Sequence, residues 1–94
     1  MNILVEFVGV SRVLTGEQNL TLPLAPDSSY RDVIRQLGAR FPALIGQVIA
    51  LDGETLLPEN QIALNGKRML QLSEMDASPA EGERLTFMSI LAGG

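Results

Sequence analysis

The sequence predicts an α+β fold in which one amphipathic helix lies across one face of a mixed β-sheet. Segments rich in β-branched and aromatic residues flank a segment whose apolar residues recur at helical spacing. The chain has 94 residues, which is enough for one hydrophobic core and too few for two. Apolar residues make up 46% of it and charged residues 19%, which is typical of a globular domain rather than a disordered chain.

Two strands are predicted before the helix. Residues 2–10 are rich in Val, Ile, Leu and Phe, and their side chains alternate between two faces. Residues 11–16 are expected to form a loop or one helical turn. Residues 17–24 alternate again through three leucines. Pro23 indicates that the end of this second strand lies at a sheet edge, because proline cannot donate a ladder hydrogen bond.

The central helix is predicted from a capping pattern followed by helical periodicity. Ser29 and Asp32 match a capping box, in which each side chain accepts a hydrogen bond from the backbone amide of the other residue. Apolar residues then recur on one side of the helix, at Tyr30, Val33, Ile34, Leu37 and Phe41. Pro42 is expected to end the helix, because proline disfavours helical geometry at the residue before it. Gly38 is interpreted as a point of close packing against the sheet.

The second half of the chain is predicted to contain a hairpin. Residues 43–60 are the least readable, with a short second helix expected over residues 44–49 and a turn at Asp52-Gly53. Residues 62–64 and 67–72 are expected to pair through a turn at Asn65-Gly66, a dipeptide that favours two-residue hairpin turns.

A final strand completes the predicted domain. Residues 73–83 are polar and are expected to form a surface loop, and alternation predicts the last strand over residues 84–91. The order is therefore β-β-α-(α)-β-β-β, with residues 1–91 as one domain. The pattern alone leaves open another small α+β sandwich.

The composition excludes the commonest catalytic and metal-binding chemistry. The chain has neither cysteine nor histidine, so disulfides, thiolate metal sites and the usual nucleophile–base pairs cannot form. We therefore expect a protein that is not an enzyme, with no metal site and no cofactor of its own.

The charge of the chain limits its partners. A formal net charge of −4 disfavours nucleic acid, which usually requires a basic face. It would suit a partner with a basic groove, although an acidic balance can also serve only solubility. No apolar run approaches the ~18 residues of a membrane span, and the N-terminus lacks the features of a secretory signal. We expect a cytoplasmic protein without a membrane segment.

The sequence ends in Ala92-Gly93-Gly94, which we interpret as a flexible tail over residues 92–94. A terminal carboxylate on a segment without side chains can pass through a narrow channel into the active site of another protein. Gly93 and Gly94 would then be the reactive part of the molecule. The alternative is a frayed end without a function.

Four segments resemble the ubiquitin-like sulfur carriers, the family that includes the small subunit of molybdopterin synthase and the thiamine-synthesis sulfur carrier. They are the opening strand, the central helix with the segment after it, the hairpin, and the last strand with its diglycine, at residues 1–10, 32–44, 63–67 and 81–94. The helix is similar to that of the longer branch, which includes small archaeal-type modifier proteins. The resemblance implies the β-grasp (ubiquitin-like) fold, which agrees with the predicted order of elements.

The resemblance also implies a carrier cycle. An ATP-dependent activating (adenylating) enzyme would adenylate the Gly94 carboxylate, sulfur would replace AMP to give a thiocarboxylate, and a large sulfur-accepting synthase subunit would use that sulfur. Molybdopterin (molybdenum cofactor) biosynthesis is the expected pathway, with thiamine synthesis or tRNA thiolation as alternatives. ATP is thus used by the partner, and the carrier contributes binding and positioning.

The sequence departs from the family pattern at two places, and two functions other than sulfur transfer stay open. Ser89-Ile90 stands where the family often has a proline pair, and the segment from Pro42 to Asn60 is longer than in the bacterial carriers.

Gly94 could instead form isopeptide bonds with lysines of other proteins, and polymers linked through side chains could then grow only on Lys67, the only lysine. The other alternative is a non-covalent ubiquitin-like adaptor with an inert tail.

The partner-binding surface is predicted on the sheet face away from the helix, provided that the first and last strands are neighbours. Alternation places on that side, or in the tail beyond it, Leu4, Val8, Thr86, Met88, Ile90 and Ala92. Exposed apolar patches often mark protein interfaces, and methionine adapts to several partners. The alternative is that the chain's own loops cover this face. The opposite face, with Phe7 and Phe87, is expected to join Leu37 in the core.

Overall fold

The computed structural model describes residues 1–89, which form a five-stranded sheet with two α-helices and two short 3-10 helices. The elements in chain order are β1 (Asn2–Phe7), α1 (Val10–Thr15), β2 (Asn19–Pro23), α2 (Tyr30–Arg40), a 3-10 helix (Pro42–Leu44), β3 (Asn60–Leu64), β4 (Arg68–Met69), a second 3-10 helix (Leu72–Glu74) and β5 (Arg84–Ser89). Among the described residues, no helix combines the length and the apolarity that crossing a membrane requires.

The sheet is mixed, with the strand order β2-β1-β5-β3-β4. β1 and β5 run parallel as direct neighbours, and the other three pairs are antiparallel. The predicted α+β class and the predicted neighbourhood of the first and last strands are therefore confirmed. β2, with Pro23, lies at one edge of the sheet, as the proline indicated.

The inner face of the sheet and the apolar side of α2 share one hydrophobic core. Phe7 and Phe87 lie on the two parallel strands with their ring centroids 5.9 Å apart, and Leu37 of α2 is completely buried. Full burial of an aliphatic or phenyl side chain stabilises the fold by roughly 1.5–3 kcal/mol. The same core contains Ile3, Val5, Val33, Ile34, Ile62 and Leu85. The predicted core positions are confirmed.

Helix α2 begins with the predicted capping box. Ser29 Oγ accepts a hydrogen bond from the Asp32 amide at 3.2 Å, and Asp32 Oδ2 accepts one from the Ser29 amide at 2.9 Å. The bond from the Ser29 amide is the main reason why the pKa of Asp32 lies below its ordinary value. The helix ends at Arg40, and Pro42 starts the first 3-10 helix. These contacts satisfy amide groups that a helix start otherwise leaves without partners.

The first strand is shorter than predicted, because the chain turns into α1 after Phe7. Gly9 has a φ of 70°, a conformation that favours glycine, and α1 replaces the end of the predicted strand and the predicted loop or helical turn. Ser11 of α1 contacts the residue after β1 and a residue of β5. Its Oγ lies 3.1 Å from the carbonyl oxygen of Val8 and 3.4 Å from that of Phe87.

The prediction of a short second helix over residues 44–49 is wrong. Only Pro42–Leu44 is helical, as a single 3-10 turn, and Ile45 and Ile49 form an irregular β-bridge. Gly46, with a φ of 90°, is incompatible with continued helical geometry. The segment therefore forms a compact turn rather than a second helix.

Residues 45–54 pack against α2, which corrects the interpretation of Gly38. A Cβ atom built on Gly38 would lie 3.4 Å from the side chain of Ile45, so this glycine allows close packing against the segment rather than against the sheet. Arg31 and Arg35 hold the far end of the segment through Glu54, with N–O distances of 3.5 and 2.9 Å.

The hairpin turn at Asn65-Gly66 is confirmed. Its φ values of 54° and 68° are both positive, as a type I′ turn requires. β4 contains only Arg68–Met69 instead of the predicted residues 67–72. The chain leaves the sheet because Gln71 and Glu74 form a reciprocal cap that begins the second 3-10 helix.

The start of α2 is also tied to the loop before β5. The Tyr30 amide donates to the Ala77 carbonyl at 3.0 Å, and the Tyr30 hydroxyl donates to the Glu83 carboxylate. Burial, followed by the hydrogen bond and the charge of Glu83, raises the pKa of the Tyr30 hydroxyl above its ordinary value of 10.0.

Phe87→Ala is expected to lower the free energy of unfolding by ~3–5 kcal/mol, because it leaves a cavity at the centre of the core. Chemical denaturation monitored by circular dichroism measures the change. Val13→Ala is the control, since Val13 is 81% exposed and should change the stability by less than about 0.5 kcal/mol. A loss below about 1 kcal/mol at Phe87 would contradict its place in the core.

The protein should lose stability as the pH rises above 10. The unfolded chain releases the Tyr30 proton near the ordinary pKa of 10.0, whereas the folded protein retains it, so raising the pH favours unfolding. This contribution is complete below pH 10 and declines above it. Urea titrations on both sides of pH 10 should show a smaller decline for Tyr30→Phe than for the wild type. Equal declines would assign the effect to another group.

Candidate functional site

The outer face of the sheet brings the predicted surface residues together. The register pairs Leu4 with Arg84, Glu6 with Thr86, and Gln61 with Met88. Directly paired residues project from the same face of a sheet. The outward residues of β1 and β5 therefore form one continuous surface on the side away from α2.

The structure locates four of the six predicted partner-binding residues. Leu4, Thr86 and Met88 are half-buried on the outer face, and Val8, just beyond the end of β1, is 47% exposed. Ile90 and Ala92 lie outside the described residues, as do Gly93 and Gly94. The described part of the predicted surface is therefore accessible, and no loop within residues 1–89 covers it completely.

A polar group lies in the middle of this surface, and of its members only Thr86 was predicted as a partner-binding residue. Thr86 Oγ1 donates to Glu6 Oε1 at 2.8 Å, and Arg84 Nε lies 3.3 Å from the same oxygen. The alternation that places Thr86 and Leu4 on this face also places Arg84 and Glu6 there. Period-2 spacing could therefore have identified both residues. The surface therefore presents apolar side chains around a centre in which Glu6 contacts both Thr86 and Arg84.

A concave feature lies along β3, which pairs with β5 on the side away from β1. It is a groove of about 320 Å³ between the segment before β3 and the segment after β4. Its lining is apolar apart from three amide side chains and consists of Leu56, Leu57, Pro58, Asn60, Gln61, Ile62, Leu70, Gln71, Leu72 and Met75. None of the four described partner-binding residues lines it, although its Gln61 is the residue that pairs with Met88.

The acidic side chains of residues 1–89 do not gather into a group of three that could hold a metal ion. Among these residues, three ion pairs join α2 to Glu54 or Asp76 in loops, and another joins Arg68 of β4 to Glu74 of the second 3-10 helix at 2.7 Å. The hydrogen bond from the Gln71 amide, followed by that from Arg68, lowers the pKa of Glu74. These carboxylates stabilise turns and caps.

Comparisons with known proteins identify similar chains. No protein-family model matches the sequence. Along its full length it is 27% identical to Small archaeal modifier protein 3 of Haloferax volcanii, and the alignment covers all of both chains. The solution structure of the Haloferax volcanii HVO 2177 protein superposes with a TM-score of 0.79 at 26% identity, covering 100% of this chain and 87% of that one.

A further structure supports the fold. The crystal structure of SAMP1 from Haloferax volcanii superposes with a TM-score of 0.82 at 20% identity, and the match covers all of both chains. At that identity the likeness concerns the fold, which is the ubiquitin-like β-grasp. Together with the full-length similarity to a small archaeal modifier protein, these matches confirm the resemblance of this chain to the ubiquitin-like sulfur-carrier and modifier proteins.

Proposed function

We propose that this protein is a ubiquitin-like carrier whose Gly94 carboxylate is adenylated by an ATP-dependent enzyme and then transferred or converted by a second partner. The observation that carries the proposal is the similarity to a small archaeal modifier protein over the whole of both chains. The carrier supplies the carboxylate and the docking surface, and the partners supply ATP and the catalytic groups.

The proposed chemistry begins with one shared step. A Gly94 carboxylate oxygen attacks the α-phosphorus of ATP, and pyrophosphate leaves to give an acyl adenylate. A lysine amine of a target protein can then displace AMP and lose a proton, which forms an isopeptide bond. Alternatively, sulfide (HS−) attacks the acyl carbon and displaces AMP, and loss of a proton leaves a thiocarboxylate on the carrier.

The two branches have different support. The name of the full-length relative favours the modifier branch. The sulfur-carrier branch rests on the resemblance of the hairpin and the last strand to the sulfur carriers. Within it, we propose a large synthase subunit of molybdopterin biosynthesis as the recipient, with thiamine synthesis and tRNA thiolation as alternatives.

The described structure is consistent with a tail presented from a rigid base. β5 is paired on both sides, and Ser89, its last residue, lies opposite Asn60 of β3. Residue 90 is therefore attached to a strand at the centre of the sheet. A fixed base reduces the conformational freedom that a partner has to remove when it binds the carboxylate.

Mass spectrometry of the protein isolated from its own cells separates the branches. Replacement of one oxygen by sulfur at the C-terminus would identify a sulfur carrier. Conjugates in which Gly94 is linked to lysines of other proteins would identify a modifier. A free and unaltered terminus under all growth conditions would favour the non-covalent adaptor and contradict the proposal.

Met88→Asp is expected to leave the fold intact but to weaken binding to the activating or receiving enzyme. Met88 is half-buried on the outer face, where a charge is tolerated in the free protein but becomes costly once a partner excludes water. Binding is measured by calorimetry and folding by a thermal melt. Gln36→Glu, which adds the same charge at an exposed position of α2, is the control. Unchanged affinity for both partners would remove the outer face as the docking surface.

Deletion of Gly94 is expected to abolish adenylation without changing the thermal melting temperature. The deletion withdraws the carboxylate by at most ~3.6 Å, and a misplacement of only ~1 Å can reduce a rate about a hundredfold. ATP–pyrophosphate exchange with the activating enzyme measures the loss. Replacement of Gly93-Gly94 by Ala-Ala keeps the length and should give a smaller defect, because it only adds bulk and restricts the backbone. Full exchange after the deletion would refute the proposed function.

A further inference from the structure

An exposed cluster lies at the end of the sheet where β1 and β5 finish. Val8, Val10 and Val13 are 47%, 46% and 81% exposed, although each is a large apolar residue. Val10 and Val13 are three residues apart on α1 and therefore lie on the same side of the helix. Arg12 is exposed between them. We call Val8, Val10, Arg12 and Val13 the α1 patch.

The positive side chains fall into two groups, since Arg12, Arg40 and Lys67 form no ion pair within residues 1–89. The chain has seven positive side chains and a net charge of −4. Four of the seven form ion pairs within residues 1–89, namely Arg31, Arg35, Arg68 and Arg84. Arg12 forms none among these residues, although Glu17 follows α1 closely in the chain. Its charge is therefore available to a partner.

A second arginine without an ion pair lies at the same end of the sheet as the α1 patch. Arg40 ends α2 and lies over the ring of Phe41, 5.6 Å from its centroid, and it forms no ion pair within residues 1–89. The 3-10 helix that follows Phe41 contacts α1. The ring of Phe41 also lies 5.8 Å from that of Phe7, the last residue of β1, so Arg40 and Arg12 lie at the same end of the sheet.

The α1 patch is close to the base of the C-terminal segment. The Phe87 carbonyl oxygen accepts hydrogen bonds from the Val8 amide at 3.0 Å and from Ser11 Oγ at 3.4 Å. Phe87 lies only two residues before Ser89. The five residues from Ile90 to Gly94 span at most ~18 Å. A partner that binds the Gly94 carboxylate therefore has to approach this end of the sheet.

We propose that the α1 patch, with Arg40 at its border, docks on an apolar surface ringed by carboxylates on the activating enzyme, beside the channel that receives Gly94. The inference rests on the proposed function and names a contact beyond the outer face of the sheet. Carboxylates of the enzyme would supply the ion-pair partners that Arg12 and Arg40 lack in residues 1–89. The valines would lose contact with water on docking.

The test compares two charge reversals in the ATP–pyrophosphate exchange reaction, with the activating enzyme purified from the source cells. Arg12→Glu alters the α1 patch. Lys67→Glu makes the same change in net charge at the opposite end of β5, where Asn65 of the hairpin bonds to Arg84. Long-range attraction changes equally in both variants, so a difference between them reports local contact.

Arg12→Glu should raise the KM for the carrier about tenfold with kcat unchanged, whereas Lys67→Glu should raise it less than about twofold. The KM of the wild type should also rise more steeply with salt than that of Arg12→Glu. Val13→Asp should raise KM in the same way as Arg12→Glu. Thermal melts verify that each exposed variant remains folded.

Three results would overturn the inference. Equal KM values for Arg12→Glu and Lys67→Glu, with normal exchange by the wild type, would refute the docking contact and leave the proposed function intact. No exchange with the wild type would refute both. Self-association of the wild type in sedimentation experiments, lost in Val13→Asp while KM stays unchanged, would assign the patch to a second copy of this chain.

Discussion

β5 is hydrogen-bonded along both edges, to β1 in parallel register and to β3 in antiparallel register. Because β1 is the first strand and β5 the last within residues 1–89, the centre of the sheet forms only when two segments distant in sequence pair. Its inward residues, Leu85 and Phe87, are completely or almost completely buried. The pleat that places these two residues in the core also directs Thr86 and Met88 outward. Core packing and the exposed surface are therefore set by the same register.

α2 connects the two halves of the molecule over that sheet. Its capping box fixes where the helix begins, and the amides of Tyr30 and Arg31 donate to carbonyls of the loop between β4 and β5. At its other end, Gly38 admits Ile45 at contact distance. The helix is consequently held at its start by a segment far away in sequence and near its end by the segment that follows it. Its amphipathic pattern specifies the buried side, and these contacts specify its position.

Several arginine side chains form ion pairs within residues 1–89, whereas Arg12 and Arg40 form none there. Arg31, Arg35 and Arg68 neutralise carboxylates in the segments that border α2 and β4. Exposed ion pairs of this kind contribute about 0–1 kcal/mol each, so they position loops more than they stabilise the fold. The end of the sheet near α1 has valines and arginines without such partners among residues 1–89. This is the end of the domain at which we propose that a partner docks.

Local patterns in the sequence were sufficient for the elements whose geometry depends on near neighbours. Alternation predicted the faces of β1 and β5, the spacing of Ser29 and Asp32 predicted the start of α2, and Asn65-Gly66 predicted the hairpin turn. The diglycine and the four similar segments indicated the kind of protein. The resemblance is confirmed along the full chain, whereas the roles of Gly93 and Gly94 remain proposals.

The tertiary structure alone decided the features that depend on distant contacts. Residues 45–54 follow the shape of α2 because Ile45 packs on Gly38 and Glu54 binds Arg31 and Arg35, and no local period in the sequence encodes this. The charged centre of the outer face exists because β1 and β5 are neighbours, which brings Glu6 to Thr86 across 80 residues of sequence. Short-range patterns determine the local conformation of a segment. Which segments meet is decided by the free energy of burying their apolar faces together, and that depends on the whole fold.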